Sequence, residues 1–183
     1  FDENGDIIVS TDSPMIHTIS CDEKPGIQAI ATTSDDLRPT EGNGCVYRDY
    51  EYKRLGTLSL IAGIDLLTGI AIPVVSETHK SSDFICLLKK LDEMYLEGDV
   101  IRIICDNHSA HKAKEVQNYL ATKPEGRYVF VFIPKHASWL NLIECFFSKM
   151  AKQMLKGIRV KSKQELADRI YQYFDEINKE PVV

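Results

Sequence analysis

Apolar positions in this chain fall into two rhythms, short continuous runs and stripes at helical spacing, and the change between them marks out the elements. The clearest run is Val100–Cys105, reading VIRIIC and stopping abruptly at Asp106. Its length, its β-branched content and its turn-forming borders predict a strand buried on both faces. A polar turn holding His108 and His111 follows, and then a helix-forming segment from His111 to Ala121. In open α/β sheets functional groups gather where strands end, because loops there are exposed while the sheet stays rigid. A carboxylate at Asp106 therefore stands on a stiff edge.

The rest of the pattern supplies the neighbours of that strand. Met15–Cys21 reads as a first strand ending at Asp22, with Pro25-Gly26 as a turn signal. Residues 26–54 lack sustained periodicity and read as a long loop, which in a compact domain is functional or disordered. Thr57–Asp65 and Gly69–Ser76 form a hairpin, and Pro73 puts its second strand at a sheet edge. Ser81–Glu97 is a helix with Phe84, Leu87, Leu88, Leu91 and Tyr95 on one stripe and Gly98 after it. Tyr128–Ile133 is the last strand. Ser138 caps a helix reaching about Leu155, and Ser162 with Glu165 forms the capping box of a final helix. This succession implies a single domain over residues 1–183: a ribonuclease-H-like mixed five-stranded sheet, its first three strands antiparallel and its later two parallel, flanked by helices. In that arrangement the first and fourth strands lie side by side.

Composition narrows the class. With 183 residues, 44% apolar and 27% charged, the chain is an ordinary globular domain with one sizeable core. No run of eighteen apolar residues exists, and FDENGDIIVS lacks the features of a signal peptide. Five scattered cysteines without a CxxC pair fit a reduced cytosolic protein with buried thiols. The net charge of −5 argues against nucleic acid as a partner, but Cys145–Gln164 carries Lys149, Lys152, Lys156, Arg159, Lys161 and Lys163 with no acid.

Parallel neighbours place Asp22 and Asp106 at one sheet edge, since adjacent strands run about 4.8 Å apart. Glu144 is the only acid in the Ser138–Leu155 helix and lies next in angle to its buried stripe. Singly, each is compatible with an ordinary turn acid or salt-bridge partner. Together, three converging carboxylates repel unless cations neutralise them. Hard oxygen donors suit Mg²⁺ or Mn²⁺, and two such ions about 3.5–4 Å apart serve in-line phosphodiester chemistry. His108 and His111 have the spacing of a zinc pair, but nothing nearby completes the set. They shape the turn or meet a phosphate, while His136 and Trp139 are candidates to contact and stack on DNA. No GxxxxGK or GxSxG motif is present, so nucleotide hydrolysis and acyl transfer have no support.

These residues resemble a known family. Cys21-Asp22-Glu23-Lys24, Cys105–Lys112 (CDNHSAHK) and Ser138–Glu144 (SWLNLIE) are similar to the catalytic signatures of mariner-type DDE transposases, in the bacterial insertion-sequence branch. Lys53–Thr57 (KRLGT) and the Asp65–Gly69 hairpin share the likeness, which runs from about Ile16 to Ile177. The resemblance implies a metal-dependent triad of Asp22, Asp106 and Glu144 holding two Mg²⁺ or Mn²⁺ ions, which cuts transposon ends and joins them to target DNA. It implies DNA contacts for Lys53, Arg54, His111, Lys112, His136, Trp139, Lys149, Lys152 and Lys156, an active homodimer, and a place in the bacterial cytosol at the nucleoid. Relatives insert a segment between the first two strands that crosses the dimer, and residues 26–54 occupy that place. The interval from Asp106 to Glu144, 37 residues, is slightly longer than in relatives. The helix-turn-helix region that relatives carry before this domain is not in the chain, which accounts for its acidic balance. Rival readings are another ribonuclease-H-like nuclease, acting on hybrids or junctions, and an inactive DNA-binding or assembly module.

Overall fold

The computed structural model describes residues 14–34, 36–47, 50–107, 109–134 and 142–182. Five strands form one sheet in the order β3-β2-β1-β4-β5: β1 (Ile16–Thr32), β2 (Tyr52–Asp65), β3 (Ala71–Ser76), β4 (Val100–Cys105) and β5 (Tyr128–Phe132). β1–β2 and β2–β3 are antiparallel; β1–β4 and β4–β5 are parallel. The helices are α1 (Ser81–Met94), α2 (Lys114–Leu120), α3 (Leu142–Met150) and α4 (Lys163–Ile177).

Alternation along the strands divides the core between the two sheet faces. One face joins Ile19, Ile61, Ile101 and Ile103 to Phe84, Leu87, Leu88 and Leu91 of α1. The other joins Leu58, Leu60 and Ala62 to Ile143, Phe147 and Met150 of α3 and to Leu166, Ile170 and Phe174 of α4. The edge strand β3, which holds Pro73 as expected, has its outer groups taken up by side chains. Asn178 accepts the N–H of Ala71 at 2.9 Å and donates to its carbonyl at 2.8 Å, and Lys90 donates to the carbonyl of Pro73 at 2.6 Å. These contacts occupy an edge that would otherwise template further strands.

Several boundaries differ from the sequence reading, each for a local reason. β1 does not end at Asp22 but continues to Thr32, and β2 begins at Tyr52, so the two ends of the expected 26–54 loop are paired strand. Pro25-Gly26 forms a bulge instead of a turn: the β1–β2 register shifts between Lys24 and Ile27, with Gly26 at φ 70°. What remains between the strands is 33–51, drawn together by the bridges Leu37–Tyr47 and Thr40–Asn43. α1 stops at Met94, because Tyr95 leaves the helix to stack on His17 at 3.9 Å and donate its hydroxyl to Asp65 at 2.8 Å. The segment read as one helix from His111 divides into a 3₁₀ turn, Ser109–Lys112, and α2. After Met150 the backbone widens into a π-helical turn, Ala151–Leu155, where the N–H of Lys156 reaches the carbonyl of Ala151 at 2.9 Å. The Ser162–Glu165 cap is present, with Ser162 accepting the Glu165 N–H at 3.0 Å. Ser138 lies outside the described residues. Among those described, no helix is long and apolar enough to cross a membrane.

Gly63, the β2 partner of Cys21, lies under Ile19 of β1 and Leu87 of α1. A Cβ there would lie 2.7 Å from Ile19 Cγ2. Gly63→Ala is therefore expected to destabilise the fold by about 1–3 kcal/mol through overpacking. Urea unfolding should show a lower midpoint at unchanged slope, and an unaltered midpoint would contradict this packing.

Candidate active site

β1 and β4 pair with a constant offset, from Ile16–Val100 to Ser20–Ile104. Carried two residues on, that offset sets Asp22 level with Asp106, the first residue past β4. β1 itself runs on beside β2, so only Asp106 ends its strand; Asp22 lies where its neighbour on one side runs out. Residues two apart on a strand share a face, and Asp22 shares that of Ser20. The Ser20 hydroxyl accepts the backbone N–H of Ile143 at 3.3 Å, which fixes the start of α3 against β1. Glu144 is the next residue, in the first turn of α3.

Asp22 is partly buried, whereas Asp106 and Glu144 are exposed. Burial raises the Asp22 carboxyl, the Glu23 N–H donated to its Oδ1 at 2.7 Å lowers it, and the charges of Asp106 and Glu144 raise it again. The outcome is a pKa of about 6. The charges of Asp106 and Glu144 thus both reach Asp22. Among the described residues, no group of three or more His, Cys, Asp or Glu side chains is gathered tightly enough to hold a metal ion as it stands. All three donors are hard carboxylate oxygens, and the repulsion borne by Asp22 is what a divalent cation would relieve.

His111 is 2% exposed and faces protein. Its Nδ1 donates to the Asp106 carbonyl at 3.2 Å and lies 3.4 Å from the Asp106 carboxylate, with Phe84 against the ring at 4.4 Å. Burial opposes the imidazolium, but its donation to Cys105 and to the Asp106 carbonyl, with the Glu23 carboxylate 3.7 Å from Nε2, outweighs burial and pushes its pKa up to about 10. A buried cation thus underlies the acidic turn. No motif spacing signals this; His111 is legible only once the 3₁₀ turn folds it back.

The other predicted contacts are dispersed. Lys149 and Lys152 line an open groove of about 510 Å³ with Glu144, Cys145 and Ser148. Lys156, just past the π-helical turn, is not part of that lining. Lys112 is exposed, its Nζ 4.5 Å from the Phe132 ring. Lys53 and Arg54 pair with Ala31 and Ile30, on the order of 25 Å along the ribbon from the acids. His108, His136 and Trp139 lie outside the described residues.

The family model described as DDE superfamily endonuclease matches residues 19–167. The insertion element IS630 uncharacterized 39 kDa protein of Shigella sonnei is 25% identical over 114 residues, 62% of this chain and 33% of that protein. The crystal structure of the mariner Mos1 paired end complex with Mg is similar at TM-score 0.60 and 16% identity, over 90% of this chain and 50% of that one. The dimeric form of the HTLV-2 integrase catalytic core domain in complex with magnesium is similar at TM-score 0.54 and 13% identity, over 93% and 90%. The chain thus spans about a third of the curated relative it matches. The structural likenesses bear out the ribonuclease-H-like sheet expected from the element order. With the family model running from β1 into α4, this chain belongs to the DDE superfamily endonucleases.

Proposed function

We propose that this chain is the catalytic domain of a transposase that cuts DNA at transposon ends and joins it to target DNA, with Asp22, Asp106 and Glu144 as its metal-holding residues. The observation that carries the reading is the level placement of Asp22 and Asp106, with the Asp22 carboxyl raised by burial and then by the charges of Asp106 and Glu144. The Mos1 and HTLV-2 structures were each determined with magnesium, and one Mos1 structure is a strand transfer complex. Those descriptions agree with a divalent ion and a DNA substrate here.

Asp22, Asp106 and Glu144 would together hold the divalent ions. Such ions supply activation of the attacking oxygen and neutralisation of the leaving one. The remaining work belongs to the chain. The sheet keeps Asp22 and Asp106 at fixed height, and Ser20 fixes the start of α3 beside them. His111 holds the Asp106 turn from below, and Lys149 and Lys152 draw phosphates along the groove toward Glu144. We further propose a homodimer as the active assembly, with the 33–51 segment reaching the partner, in a protein working in the bacterial cytosol at the nucleoid.

Asp106→Asn should abolish cleavage of transposon-end DNA in Mg²⁺ or Mn²⁺, a loss larger than the roughly 10–100-fold that follows removal of an outer-shell partner. Its far-ultraviolet spectrum should be unchanged. Full activity in that variant would reject the triad. Cleavage of RNA–DNA hybrids or junctions without any joining to target DNA would move the assignment to a different nuclease.

The raised Asp22 pKa also sets a pH dependence of metal-free stability. The folded state holds this proton up to about pH 6, while the unfolded carboxyl loses it near 3.8, so stability falls as pH rises through that window. Asp22→Asn keeps the acceptor for Glu23 and removes the charge. In the presence of a chelator it should raise the melting temperature at pH 7.5 and make little difference at pH 4. A variant no more stable than the parent at pH 7.5 would contradict the crowding of the three acids.

A further inference from the structure

Beside the acids, a cleft of about 330 Å³ opens between the outer half of β1 and the turn that follows the π-helical segment. Its lining includes Lys24, Ile27 and Ile30 on one side and Leu155, Ile158 and Arg159 on the other. The Val160 N–H, donated to the Ile30 carbonyl at 2.9 Å, fixes the two walls together. Both cations are only partly exposed, and among the described residues neither is paired with a carboxylate. Arg159 donates through Nη1 to the carbonyl of its own neighbour Ile158 at 3.0 Å, while its buried Nε has no acceptor. A guanidinium offers five donors in a fork suited to phosphate, and a buried donor left unmet is costly.

We propose that this cleft seats a phosphodiester of the DNA strand held by Lys24 and Arg159, adjoining the one engaged by the acids; the inference rests on the function proposed above. Lys24 follows Asp22 by two residues on the same strand and, lying before the Pro25-Gly26 bulge, on the same face. It is therefore displaced about 6.7 Å along β1, toward the outer end of the ribbon. A strand lying across the acids and continuing along β1 passes the cleft next. The apolar walls formed by Ile27, Leu155 and Ile158 lower the local dielectric and so strengthen contacts between charges there. In the sequence Arg159 is one charge in a basic run; its place in the same cleft as Lys24 follows from the β1 bulge and the π-helical turn.

The test measures binding of a short DNA duplex to the full chain by fluorescence anisotropy, in chelator, over a range of salt. Lys24→Gln and Arg159→Gln should each weaken binding and reduce the slope of log affinity against log salt by about 0.9, the loss expected per phosphate contact. Arg159→Lys should retain the slope. Mn²⁺-induced thermal shifts should match the parent in all three, because the acids are untouched. A Lys24→Gln protein that melts like the parent and keeps its slope would overturn the proposal. So would a thermal shift by inorganic phosphate that depends on Lys24 while the DNA slope does not change. Failure of the parent chain to cut or join DNA would instead refute the catalytic reading, leaving the salt slopes to decide the cleft on their own.

Discussion

Everything in the candidate site depends on the fixed offset between β1 and β4. Parallel pairing from Ile16–Val100 to Ser20–Ile104 holds two strands in register at the centre of the sheet, and helices cover the faces around them. The next level, Cys21 and Cys105, is fully buried and apolar in character. Burial first, and the neighbouring Cys105 second, keep the Cys21 thiol protonated. One level further on, the chain places Asp22 and Asp106. The change from buried thiol to carboxylate over a single residue puts two charges at the margin of a rigid apolar core, where relaxation by side-chain movement is limited.

That position explains why the electrostatics are uneven. Asp22 lies between the sheet and α3 and carries the burial penalty together with the repulsion of both other acids. Asp106 and Glu144 stand exposed. His111 lies below with its cationic ring against Asp106 and Glu23, a fixed counter-charge that the core tolerates because Cys105, the Asp106 backbone and Glu23 surround it. An arrangement of one partly buried and two exposed carboxylates on separate elements can close around cations while its scaffold stays unchanged.

How far the sequence discloses this follows from what each residue's pattern records. Val100–Cys105 and the α1 stripe are visible because each is buried by its own periodicity, and the order of elements then implies the sheet. The path of β1 is hidden because Pro25-Gly26 has the composition of a turn, whereas here the two residues are absorbed as a bulge between Lys24 and Ile27. The end of α1 is hidden because Tyr95 fits the helical stripe yet is drawn off by His17 and Asp65, which are distant in sequence. The π-helical turn after Met150 leaves no compositional mark, and Lys156 beyond it is outside the groove that Lys149 and Lys152 line with Glu144. Asp22 and Asp106 are legible from their positions after apolar runs and Glu144 as the only acid of its helix; Ser20 and His111, which contact the start of α3 and the Asp106 turn, act through tertiary contacts that no spacing reveals.

The central claim is that Asp22, Asp106 and Glu144 converge on shared divalent cations. Crystals of the parent chain grown with Mn²⁺ and measured at the manganese absorption edge test it directly. The account predicts anomalous peaks within coordinating distance of all three carboxylates, about 2.0–2.3 Å from their oxygens. Manganese bound elsewhere, with Glu144 turned away from the two aspartates, would contradict it.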